Sequence, residues 1–126
     1  METVARIGFA LAGLINALPV VGVSGVSRLE GLYGIPFEGS DLEILMRHRA
    51  VMLGIVGGLL LAAARWPSLR PPAAVAGFAS MLSYLFLVAW VGEPNPELAR
   101  VAGVDVFAVA ALGLAFWAHV RSDRQR

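Results

Sequence analysis

With 126 residues, 58% of them hydrophobic and only 15% charged, the chain carries more apolar surface than a soluble domain of this size can bury. A formal net charge of +1 leaves no basic face for nucleic acid, and the absence of cysteine excludes disulfides, thiolate chemistry and cysteine-ligated metals. The apolar excess is therefore predicted to face lipid, in an all-α, four-transmembrane-helix bundle that forms a single domain over 1–126.

The first span is predicted over about 6–24, with its apolar run from Ile7 to Ser24. Pro19 is expected to kink it beside Asn16. A cleaved signal peptide is the competing reading, and the length of the run favours a retained helix. From about Gly25 to Gly39 follows a long amphipathic outer loop between helices 1 and 2. It mixes Leu29, Leu32, Tyr33, Ile35 and Phe37 with Arg28, Glu30 and Glu38. It is expected in the membrane interface, with a short helix around Ser27 to Tyr33.

Ser40-Asp41-Leu42-Glu43 is a capping-box pattern, so the second helix is predicted over about 41–64, apolar from Ala50 onward. Within it Gly54-Ile55-Val56-Gly57-Gly58, continued by Ala62, matches GxxxG and is read as a packing face toward another helix of the same bundle. Trp66-Pro67 ends this helix. Arg70-Pro71-Pro72 opens the third, over about 72–91, with prolines in its first turn. After the turn at Gly92 to Pro96, Asn95 is the expected N-cap and Pro96 the first residue of a fourth helix, about 97–120.

Arginines set the orientation. One side carries Arg6, Arg65, Arg70, Arg121, Arg124 and Arg126 against only Glu2 and Asp123. The other carries Arg28, Arg47, Arg49 and Arg100 among seven acids. The first side is predicted cytoplasmic, which puts both termini inside.

Ionisable groups at membrane depth are the place to look for a site. Arg47-His48-Arg49 lies at the outer end of the second helix, with Arg49 roughly 22 Å from Ala64. Three consecutive residues fan over about 200°, so only two can face inward together. Asp105 lies roughly 20 Å from the far end of the fourth helix, at a similar depth. An ion pair from Asp105 to Arg49 or Arg47 is expected. Asn16 of the first helix and Ser80, Ser83 and Tyr84 of the third lie at comparable depth, the last three on one helical face. Together they outline a polar pocket opening outward, with the amphipathic loop as a lid. The same residues also read as interhelical glue, or as arginines anchoring lipid phosphate, and the sequence leaves both readings open. No metal site is read, because His48 and His119 fall on opposite sides of the membrane. No cofactor motif and no carboxylate pair with hydrolase spacing is found.

The run Leu32-Tyr33-Gly34-Ile35 and the stretch Asp41-Leu42-Glu43-Ile44-Leu45-Met46-Arg47-His48-Arg49-Ala50-Val51 resemble small bacterial four-helix membrane proteins of the DoxX-like group. The resemblance implies the four-helix fold and the bacterial inner membrane; it brings no agreed activity or catalytic residues. The leading functional expectation is a non-enzymatic protein that binds a lipid or quinone-like molecule near the outer leaflet. The alternatives are an accessory subunit of a larger membrane complex and an oligomeric proton-coupled transporter. Expected partners are membrane lipids, a hydrophobic small molecule, and a homo-oligomer or larger complex.

Overall fold

A computed structural model describes residues 1–125. It consists of five α-helices: α1 (Glu2–Ala17), α2 (Val26–Tyr33), α3 (Ser40–Arg65), α4 (Arg70–Val91) and α5 (Pro96–Asp123). One 3-10 segment, Leu18–Ser24, continues α1, and another, Pro67–Leu69, leads into α4. No strand occurs among the described residues.

Four helical segments are long and apolar enough to cross a membrane: Glu2–Ser24, Ser40–Arg65, Pro67–Val91 and Pro96–Asp123. Their outer surface is studded with large apolar side chains, among them Ile7, Leu14, Ile55, Phe86, Trp90 and Phe107, each more than half exposed. A soluble monomer does not carry apolar surface on that scale. The chain is a multi-pass membrane protein.

The bundle closes as a ring in the order α1, α3, α4, α5, with α1 packed chiefly on α3 and α5. Its core is built largely from alanine: Ala12, Ala63, Ala73, Ala74, Ala108 and Ala115 surround Phe9, Leu60, Met81 and Leu112. Small residues suit a bundle whose helices associate by close packing rather than by escape from water. Where α1 crosses α3, a Cβ on Gly57 would stand 2.8 Å from the Gly13 carbonyl oxygen and 2.7 Å from the Ala17 nitrogen. Of the glycines in the GxxxG match, Gly54 lies against Val20, whereas Gly58 meets nothing. The close approach runs through Gly57, one residue off the motif's second glycine.

Local signals hold in part. Asn95 caps α5, accepting from the Leu98 amide at 2.8 Å, with Pro96 in the first turn. Trp66 caps the C-terminal end of α3, and prolines open α4. The capping box at Ser40 does not form. Gly39, at φ 102°, is the N-cap without a side-chain bond, and Glu43 pairs with Arg47 at 2.7 Å instead. At Leu18, one residue before Pro19, the chain passes from α-helix into the 3-10 segment. The short helix expected around Ser27 to Tyr33 is present as α2, and the long loop around it shrinks to residues 34–39, which connect α2 to α3. Leu29 and Tyr33 of α2 turn inward onto Ala50 and form a second small core with Val23, Leu32, Met46, Leu98 and Val101.

One end of the bundle gathers the first turn of α1, the end of α3, the start of α4 and the last turns of α5. There Arg70, fully buried, reaches Glu2, the Ala63 carbonyl and His119. At the opposite end α2 lies against the start of α5.

Candidate functional site

At the α2 end, a cavity of about 180 Å³ lies between all five helices. Each wall follows from helical spacing. On α5, Glu97, Val101, Val104 and Asp105 fall on one face by the i, i+4, i+7, i+8 rule, and all four line the cavity. α4 contributes Ser80 and Tyr84, four residues apart. α3 contributes Arg49 and Leu53, again four apart, and α1 contributes Ile15 and Asn16. Gly31, Leu32 and Tyr33 of α2 close it, and Arg100 stands at its α5 edge.

Asn16 is buried, donates to the Ala12 carbonyl at 3.0 Å and receives the Ser80 hydroxyl at 3.4 Å. Tyr84 is fixed by its own hydroxyl, which donates to the Leu98 carbonyl at 3.1 Å. The guanidinium of Arg49 lies between two aromatic faces, 5.3 Å from the Tyr84 ring centroid and 5.7 Å from that of Tyr33. Both are cation–π distances. The Nε of Arg49 is shut off from solvent and has no hydrogen-bond partner among the described residues.

The structure brings together five residues singled out by depth and face: Asn16, Arg49, Ser80, Tyr84 and Asp105. It does not bring the others in. Ser83 is exposed, donates to the Ser80 carbonyl at 3.0 Å, and lines only a shallower recess with Arg49, Ser80 and Tyr84. His48 is exposed on the outer surface of α3. Arg47 is taken up by Glu43 and by the Val23 carbonyl at 3.0 Å. The expected ion pair of Asp105 with Arg49 or Arg47 is not among the salt bridges of the described residues. Arg47 finds a closer carboxylate one turn back on its own helix, and the two tyrosine rings hold Arg49. Asp105 and Arg49 instead both line the cavity.

Tyr33, Glu97 and Arg100 were not foreseen. Glu97 could have been found from the face it shares with Asp105. Tyr33 could not, because its inward direction depends on how α2 folds back. That fold is held by Asn95, whose Nδ2 donates to the Tyr33 carbonyl at 2.9 Å, and by Glu30, which accepts from the Phe37 amide at 2.9 Å. Gly34 ends α2 at φ 64°, a left-handed conformation that favours glycine, and a Cβ there would stand 2.5 Å from the Glu97 carboxylate, which would have to move aside.

Among the described residues no group of three or more His, Asp or Glu side chains is placed to hold a metal ion. No family model, curated protein or solved structure matches this chain.

Proposed function

We propose that this protein holds the polar head of a hydrophobic, quinone-like molecule in the cavity beneath α2, without performing chemistry on it. Arg49 carries the reading: a guanidinium held between two tyrosine rings in a cavity wall, with a buried Nε and no acceptor. A buried donor left unpaired costs about 1–3 kcal/mol, and more when charged. A ligand oxygen that accepts from Arg49 removes that cost. Asp105 offers an acceptor on another wall, which matches a ligand bearing a carbonyl at one end and a hydroxyl at the other.

Size narrows the class. An apolar cavity of about 150 Å³ admits a benzene ring, so about 180 Å³ takes a single-ring head. A tail must then leave between the helices into lipid. In this reading the chain sits in a bacterial inner membrane with the cavity toward the outer leaflet and both termini cytoplasmic. Support comes from the arginines at the opposite end and from the DoxX-like stretches Leu32–Ile35 and Asp41–Val51.

Native mass spectrometry of protein extracted from its own membrane in mild detergent tests this. A bound small molecule of defined mass is expected, lost in Arg49→Ala and in Asp105→Asn while helicity is retained. A ligand that persists in both variants overturns the proposal. So does a stoichiometric protein partner with no small molecule, which makes the chain an accessory subunit.

A further inference from the structure

A second recess lies on the lipid-facing side of the α1–α3 pair, at the end of the bundle away from the cavity. It measures about 470 Å³ and is open along one side. Its floor is apolar, from Ile7 and Ala10 of α1 and Leu61 and Ala64 of α3, and Arg6 and Arg65 also line it.

The two arginines arrive there by register. α1 and α3 run antiparallel, since Gly13 meets Gly57 and Leu61 while Val20 meets Gly54. Arg6 lies about two turns from Gly13 toward the chain start, and Arg65 about two turns from Gly57 toward the end of α3. Both therefore stand roughly 11 Å along the axis from the crossing, at one level. Exposed Trp66 follows Arg65, and exposed Trp117 carries the Arg121 guanidinium 5.0 Å above its ring. Tryptophan with arginine at one height is the mark of the headgroup layer. Neither Arg6 nor Arg65 has an ion-pair partner among the described residues, and the nearby Glu2 carboxylate is engaged by Arg70.

We propose that this groove binds an anionic phospholipid, its phosphate held by Arg6 and Arg65 and one acyl chain lying over Ile7, Ala10 and Leu61. Guanidinium forks match phosphate oxygens in pairs, and a basic recess between transmembrane helices is suited to an acidic headgroup. The apolar floor, open to the bilayer, selects a lipid over a free phosphate. The site is independent of the cavity under α2.

The test is native mass spectrometry of the full chain in detergent, titrated with phosphatidylglycerol or with phosphatidylcholine of the same acyl chains. Phosphatidylglycerol is expected to bind more tightly. The double variant Arg6→Gln/Arg65→Gln is expected to weaken it about thirtyfold, and each single variant about fivefold, with phosphatidylcholine unchanged. Arg121→Gln, at the same end but outside the groove, is expected to leave binding intact. Equal binding of the two lipids overturns the proposal, as does a loss in Arg121→Gln as large as that in the double variant. Competition by glycerol phosphate at comparable affinity also overturns it, since the site would then read a headgroup alone. If the double variant does not fold, the single variants decide.

Discussion

Arg70 and Glu2 are joined through both terminal nitrogens of the guanidinium, tying the first turn of α4 to the first turn of α1. The two ends of this pair are not equivalent. The Arg70 side chain is fully buried, with Nε donating to the Ala63 carbonyl at 3.2 Å, whereas the Glu2 side chain is 45% exposed.

That asymmetry sets the first prediction. Glu2→Ala leaves a buried cation without its carboxylate, whereas Arg70→Met leaves a carboxylate that water can reach and fills the space with an apolar stem. Breaking a fully buried pair from one side costs about 3–5 kcal/mol; with Glu2 half-exposed, about 2 kcal/mol is expected for Glu2→Ala, and less for Arg70→Met. Thermal unfolding of both variants in one detergent measures this. A larger loss in Arg70→Met shows that the Ala63 and His119 contacts, rather than the ion pair, hold α4 in place.

In the sequence Arg70 reads only as one more positive charge of a cytoplasmic face. The four spans were legible because length and apolarity decide them, and because Pro67, Pro71, Asn95 and Pro96 act locally. Five cavity residues were legible because depth along a helix follows from a fixed rise per residue. Side-chain direction was not. Whether Arg49 meets Asp105 or two tyrosine rings depends on α2 returning Tyr33 to the bundle, and Arg47 was lost to Glu43, a neighbour on its own helix. In 25–39 the mixed composition reads as an interfacial loop with a short helix around Ser27 to Tyr33; the helix is there, but the sequence does not show that its Leu29 and Tyr33 turn inward and are buried.

The glycines of α3 make the second prediction. A Cβ at Gly57 meets backbone atoms of α1 at under 3 Å, and backbone cannot swing away as a side chain can, while Gly58 has open space. Gly57→Ala is therefore expected to push α1 from α3 and lower stability by about 1–3 kcal/mol, as overpacking does. Gly58→Ala removes a poor helix former from an open position and is expected to be neutral or slightly stabilising. Unfolding of the two single variants separates them, and equal effects would place the α1–α3 crossing elsewhere.

Asn95 does two jobs with two ends of one amide, which permits the third prediction. Its Oδ1 accepts from the Leu98 amide and caps α5, while its Nδ2 donates to the Tyr33 carbonyl at 2.9 Å and holds α2 over the cavity. Asn95→Asp preserves the acceptor, with a charge that suits a helix N-terminus, and removes the donor. Global stability is then expected to change little, while hydrogen exchange of the amides in 26–34 speeds up. Asn95→Ala removes both ends, and a further loss of about 1 kcal/mol from the missing cap is expected. Should Asn95→Asp leave the α2 amides as protected as before, the packing of Leu29 and Tyr33 on Ala50 is enough to keep the cavity covered. Should exchange rise in α2 alone, the bond from Asn95 sets how often the cavity opens, and entry of a ligand becomes a property of that one amide.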